Sequence, residues 1–240
     1  MKQRYLVLPV LALGVVTAIL SKDYVHRSGW FAREPTPEEL KESCDHDNAE
    51  DCYRLGMYLH EELQAIPVCY QKVTKACALG HVKACTEVAI HLYRGIGLPE
   101  GESPDPAKAA HMFEQSCNRD DTLACYQLAG IVLQGQVAPA DPQRAHSLFT
   151  RACEARVPEA CDALQLHALF GRFSPTDIAS GEAYYQKLCD QGRGQACWFL
   201  FAARGNKNSI IFDAAKSRDY LARGCRAGYA QDCDQLKNPQ

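Results

Sequence analysis

Apolar and polar residues recur along this chain with a helical period, and the period restarts roughly every 36 residues. Cysteines mark the register. Twelve of the thirteen form six pairs with seven residues between partners: Cys44/Cys52, Cys77/Cys85, Cys117/Cys125, Cys153/Cys161, Cys189/Cys197 and Cys225/Cys233. Four residues before each first cysteine stands a large apolar residue: Leu40, Val73, Phe113, Phe149, Tyr185, Leu221. Eight residues before stands a smaller one: Thr36, Cys69, Ala109, Ala145, Gly181, Ser217. Spacings of four and eight put these columns on one helix face, with the small column where two helices approach closely.

A second helical face opens after each second cysteine, with Leu55, Val88, Leu128, Leu164, Leu200 and Leu236 three residues on. Gly95, Gly135 and Gly171 stand ten residues on, where glycine ends a helix in the left-handed conformation; Gly205 comes two residues earlier and is assigned the same role. Asp105-Pro106 and Asp141-Pro142 read as an N-cap followed by proline at the first helical position. Between paired cysteines lies a short turn, with Asp47, Gly80, Asp120, Arg156, Gly192 or Gly228 three residues after the first. Each first cysteine therefore ends a helix and each second begins the next. The pattern predicts an all-α array of about five and a half helix-turn-helix repeats over residues 36–240, each unit touching its neighbours.

The N-terminus differs in kind. Residues 5–20 form an apolar run behind Lys2 and Arg4, closed by Lys22 and Asp23. This is either a secretory signal peptide or a short membrane anchor, and both send the repeats across a membrane. The expectation is export to the periplasmic face of a bacterial inner membrane, anchored, or to the periplasm if the segment is cleaved. Residues 21–35 read as a linker. In such a compartment the cysteine pairs are expected to be disulfides. The alternatives are buried reduced pairs or zinc, whose structural ligand spacings do not match. Cys69 is left over as a free thiol in the small-residue column, a packing residue or a thiol that engages a partner. Cys77 lies on the same helix, about 12 Å away by helical rise, and cannot pair with it.

Net charge is −3, which gives no electrostatic reason to expect nucleic acid. No serine has a lysine three residues later, and Gly-x-Ser-x-Gly, His-Glu-x-x-His and phosphate-binding glycine loops are absent from the sequence. No catalytic residue is assigned. His91 and His167 share a column of mixed polarity and are read as groove-facing; two repeats apart, they cannot share a metal, and no metal site is expected. Tyr53, Tyr126 and Trp198 each follow a second cysteine directly, in a column that elsewhere holds Thr or Asp. They are candidate protein-binding aromatics, or else packing residues over the neighbouring disulfides.

The combination of small residue, apolar residue, Ala-Cys, Gly, Ala-Cys, Leu and a closing glycine, clearest in ACTEVAIHLYRGIGL and ACYQLAGIVLQG, resembles Sel-one-like repeats, relatives of tetratricopeptide repeats. The paired cysteines resemble the exported Hcp-type subgroup. The resemblance implies a right-handed α-solenoid with a concave face, and scaffold or adaptor work through a protein partner without a cofactor. Family descriptions also imply a β-lactamase or cell-wall hydrolase. A redox- or haem-linked role is the third alternative, because cysteine-paired repeats of this kind resemble mitochondrial respiratory assembly factors; no Cys-x-x-Cys-His motif is present.

Overall fold

The computed structural model describes residues 33–237. The apolar run at 5–20, and with it the anchor assignment, lies outside the described residues. Twelve α-helices are present among the described residues: α1 (Pro37–Asp45), α2 (Ala49–Glu61), α3 (Ile66–Ala78), α4 (Val82–Arg94), α5 (Pro106–Asn118), α6 (Thr122–Gln134), α7 (Pro142–Glu154), α8 (Pro158–Leu169), α9 (Ile178–Asp190), α10 (Gly194–Gly205), α11 (Ala214–Arg226) and α12 (Ala230–Lys237). A 3-10 turn, Pro175–Asp177, precedes α9. No strand occurs among the described residues. Each helix packs against its sequence neighbours, which makes the array an α-solenoid.

The cysteine register organises this array without exception. The first cysteine of every pair is the penultimate residue of an odd-numbered helix, and the second is the fourth residue of the next. All six pairs are disulfides: Cys44–Cys52 joins α1 to α2, Cys77–Cys85 joins α3 to α4, and Cys117–Cys125 joins α5 to α6. Cys153–Cys161 joins α7 to α8, Cys189–Cys197 joins α9 to α10, and Cys225–Cys233 joins α11 to α12. Their Cα–Cα separations run from 4.5 to 4.8 Å. Among the second cysteines, Cys52, Cys125 and Cys197 are buried, while Cys85, Cys161 and Cys233 are partly exposed.

The turn residue three after each first cysteine has positive φ, from 64° at Arg156 to 93° at Gly80. Its amide donates to the carbonyl of the first cysteine, and the next amide donates one residue further back, as in Gly80 to Cys77 and His81 to Ala76. This left-handed stop satisfies carbonyls that the helix end leaves unpaired.

The two helix-face columns do different work. Leu40, Val73, Phe113, Phe149, Tyr185 and Leu221 are all buried and form the spine of the core. The small column brings backbones together: a methyl group built on Gly181 of α9 would fall 2.6 Å from the Gln165 carbonyl oxygen of α8. Asp105 and Asp141 cap α5 and α7 as expected, accepting from Lys108 and Arg144. Gly95 and Gly135 cap α4 and α6 with left-handed φ. Gly205 does not follow them. It is the last residue of α10, it is not among the positive-φ residues, and Asn206 forms the C-cap. Its lack of a side chain serves packing instead, since a methyl there would lie 2.9 Å from Ser217 Oγ on α11.

The core is continuous from Leu40 through Ala168 and Phe173. A second cluster begins at Leu169 and runs through Tyr185, Leu200 and Tyr220. The division falls within α8, whose Leu169 joins the cluster of the fifth hairpin.

Candidate functional site

The even-numbered helices carry the candidate residues, one hairpin after another. The Tyr126 ring on α6 is half-buried and tilted over Phe149, with ring centres 6.0 Å apart. It stands at the mouth of a groove of about 410 Å³ that continues across α8 to α10. Leu166, Tyr185, Leu188 and Phe199 give the groove an apolar floor, while Glu159, Asp162 and Arg193 supply charge around it. Asp162 accepts a hydrogen bond from the Tyr184 hydroxyl; that bond, with burial second, pushes the Tyr184 phenol up to about 12. Burial, and then Asp162, raises the Tyr185 phenol, whose hydroxyl donates to the Asp162 carbonyl at 3.2 Å. Both phenols are thus fixed donors at neutral pH.

The paired cysteines position this surface without lining it. Cys125, Cys161 and Cys197 fix the first turns of α6, α8 and α10, and none of the three is among the groove residues. Cys52, Cys85 and Cys233 do the same for α2, α4 and α12. All six are bonded to their partners, so the second cysteines are staples and offer no thiol to a ligand.

His167 also flanks Phe149, at 5.6 Å, and meets Phe173 edge-on at 5.9 Å. Burial, with Arg172 second, lowers its pKa. Trp198 lies half-buried against Phe199. Tyr53 stacks on His81 with ring centres 4.4 Å apart. His81 caps α4 through Nδ1 and meets Glu50 through Nε2, so the Tyr53 ring joins the first hairpin to the second. Burial, with Glu87 and Asp121 behind it, raises the Tyr53 phenol to about 12. Of the three aromatics expected to bind a partner, Tyr126 is the one that lines the groove.

His91 requires a correction. It is buried, not groove-facing, because its position on α4 turns toward α3. Nδ1 lies 2.6 Å from the Ile96 carbonyl oxygen, and Nε2 lies 3.9 Å from Cys69 Sγ. The carbonyl can only accept, so Nδ1 holds the proton and Nε2 carries the lone pair. His60 of α2 completes a cluster in which the three ligand-type atoms all lie within 4.8 Å of one another. Cys69 is free and buried, and burial, with Glu87 second, raises its thiol to about 11. A cavity of about 160 Å³ beside the cluster is lined by His60, His91, Glu87, Ile90, Arg94 and Ile96. Burial raises the Glu87 carboxyl, opposed chiefly by His60. Sequence reasoning set clustering aside because it compared histidines within one column. His60 belongs to another column, and only the packing of α2 on α3 brings it to Cys69.

Among the described residues no helix is long and apolar enough to cross a membrane.

Comparison with known proteins gives a consistent architecture. The Sel1 repeat model matches residues 49–68, 82–121, 122–156 and 163–192, more than half of the chain. A cytochrome c oxidase assembly factor 7 from Xenopus tropicalis is 29% identical over 110 residues, covering 42% of this chain and 47% of that protein. The chain spans about half the length of the curated relatives it matches. A Sel1 repeat protein from Oxalobacter formigenes has a similar structure, with a TM-score of 0.57 at 19% identity, over 89% of this chain and 86% of that one. A protective antigen of uropathogenic Escherichia coli with an SLR fold gives a TM-score of 0.61 at 16% identity, over 83% of this chain and 42% of that one. At these identities the structures share the fold.

Proposed function

This chain belongs to the Sel1 repeat family, and from that premise we propose that it is a protein-interaction scaffold working on the extracytoplasmic side of a membrane. The observation that carries the reading is the groove across α6, α8 and α10, which joins an apolar floor to a charged rim. Such a surface suits an extended segment or helix of a protein partner: aromatic anchors bind, and rim charges select. The compartment reading rests on the six disulfides, which persist under oxidising conditions. The apolar run at 5–20 and its basic flank supply the export signal or anchor.

The test is photo-cross-linking from the groove in intact cells, followed by binding with the purified repeats and the captured protein. Tyr126→Ala and the exposed rim change Glu159→Lys should each weaken binding at least tenfold. Ile210→Ala, at a site 72% exposed and outside the groove lining, should not. Equal binding by all three variants would remove the groove from the mechanism.

A second reading is favoured by the similarity to oxidase assembly factors: the partner would be a subunit or assembly protein of a respiratory oxidase. It predicts loss of assembled oxidase when the gene is deleted, with restoration by the wild-type chain and not by Tyr126→Ala. The hydrolase alternative lacks its defining Ser-x-x-Lys motif, and no feature of the groove recommends it.

A further inference from the structure

Away from the groove, consecutive helices α2, α3 and α4 bring together two imidazoles and a thiol. We propose that His60, Cys69 and His91 form a binding site for a thiophilic divalent cation, Zn2+ in the first instance, with its fourth position open toward the cavity beside them.

The geometry supplies the donor set. Cys69 Sγ and His91 Nε2 are 3.9 Å apart, and the His60 nitrogen completes a triangle no more than 4.8 Å on a side. Zinc bound tetrahedrally, with bonds of about 2.3 Å to sulfur and about 2.1 Å to nitrogen, holds such atoms about 3.6 Å apart. The Cys69–His91 edge is already within a few tenths of that separation. The remaining closure falls to His60, the most exposed of the three, whose ring makes no hydrogen bond among the described residues.

The second observation is independent of proximity. The Ile96 carbonyl fixes the proton of His91 on Nδ1 and leaves Nε2 as a lone pair directed at the thiol. A hydrogen bond of this kind to the outer nitrogen is the usual support of a metal-bound histidine. The carbonyl belongs to the segment just after the left-handed Gly95, so the helix stop of α4 sets the tautomer. Glu87, one helical turn before His91 on α4, lines the same cavity, as does Arg94. Binding transfers the Cys69 proton to solvent as the S–Zn bond forms, with no change of oxidation state.

Soft sulfur with two imidazoles selects zinc-like ions over magnesium or calcium, which take oxygen ligands. A purely structural account has the Cys69 thiol donating a weak hydrogen bond to His91 Nε2 and His60 packing edge-on against the His91 ring, with ring centres 6.5 Å apart.

Titration of the disulfide-intact protein with Co2+, followed by displacement with Zn2+, separates the two. The expected result is one equivalent of Co2+ per chain, with the visible bands of a four-coordinate ion and a thiolate-to-cobalt charge-transfer band, all lost on adding Zn2+. Cys69→Ala should abolish the charge-transfer band and weaken binding by about 100-fold or more. It should preserve the fold, since Ala109 and Ala145 fill the equivalent position in later hairpins. His60→Ala, at the exposed edge, should weaken binding about tenfold or more while leaving the far-UV spectrum unchanged. Absence of the charge-transfer band in the wild-type protein would overturn the proposal. So would equal affinity in the wild-type and Cys69→Ala proteins, which would assign the ion to surface histidines.

Discussion

Gly181→Ala tests whether the small-residue column sets the distance between hairpins. The methyl carbon would meet the Gln165 carbonyl oxygen at 2.6 Å, the Leu169 Cα at 2.8 Å and the Leu169 nitrogen closer still. All three are backbone atoms of α8, so no side chain can rotate away. Relief needs α8 and α9 to part by on the order of 1 Å, the shortfall from ordinary contact. Overpacking of this kind costs about 1–3 kcal/mol, and the helix preference of alanine returns up to about 1 kcal/mol. The net expectation is a loss of about 1–2 kcal/mol. Gly130→Ala is the internal control: Gly130 lies in the middle of α6, and a methyl there meets nothing within 4 Å. It should gain about 0.5–1 kcal/mol. Guanidinium unfolding of both variants, disulfides intact and followed by far-UV circular dichroism, reads the difference as opposite shifts in midpoint. A Gly181→Ala midpoint at or above wild type would refute the claim that backbone contact fixes this interface.

Three further outcomes follow from the same structure. Replacing Cys117 and Cys125 together with serine opens a nine-residue loop and should cost about 2.6 kcal/mol by loop-closure entropy, read from the unfolding midpoint. Arg156→Asp should stabilise by about 0.5–1 kcal/mol in the same assay, because Arg156 holds φ at 64° where Asp47 and Asp120 hold the equivalent turns, and Asp tolerates that conformation better. His167 is held neutral by burial, with Arg172 opposing its charge in second place, so the unfolded chain binds its proton first. Stability should therefore fall as pH drops through about 6.5 and level off below the depressed folded pKa. His167→Gln should flatten that part of the stability-against-pH curve.

The fold was legible because cysteine spacing supplies the register that apolar periodicity alone lacks. Once aligned, Leu40, Val73, Phe113, Phe149, Tyr185 and Leu221 could be read as one column, and every one is buried. Asp47, Asp120 and Arg156 could be read as left-handed turns because Gly80, Gly192 and Gly228 occupy the same place. The site was less legible, because column reasoning compares equivalent positions, whereas sites join non-equivalent ones. His60, Cys69 and His91 come from three different columns. The groove likewise needs Tyr126, Asp162 and Phe199 from three successive hairpins. Gly205 misled because glycine serves both as a helix stop and as a close-contact residue, and the spacing does not distinguish the two.

The disulfides are confined within hairpins, so noncovalent contacts alone set how one hairpin sits on the next. Two residues before the first cysteine, four of the six units carry a cation: Lys75, Arg151, Lys187 and Arg223. Three of these reach back to the end of the preceding hairpin's first helix. Lys75 donates to the Cys44 carbonyl at 2.7 Å and pairs with Asp47 at 2.8 Å; Arg151 pairs with Asp120 at 2.7 Å; Arg223 pairs with Asp190. In the unit that has Gln115, Arg119 donates to the Gly80 carbonyl at 3.0 Å. Exposed pairs of this kind contribute little stability each, about 0–1 kcal/mol, but they sit at negative helix ends and fix the angle of docking. Lys187 is the exception. The turn it should meet carries Arg156, and Lys187 has no ion pair among the described residues. The core divides nearby, inside α8 between Ala168 and Leu169, so that Leu169 shares a cluster with Tyr185 of α9. The Tyr126 groove spans the junction, with walls on α8 and α10 from the two hairpins concerned. At that junction the Tyr184 and Tyr185 hydroxyls of α9 bond Asp162 of α8 in place of a cationic latch, and a partner in the groove would bridge it. Native-state hydrogen exchange should find the first subglobal opening at the α8–α9 interface, suppressed by a bound partner. Earlier opening at the latched α4–α5 junction would show that docking contacts do not rank the hairpin interfaces.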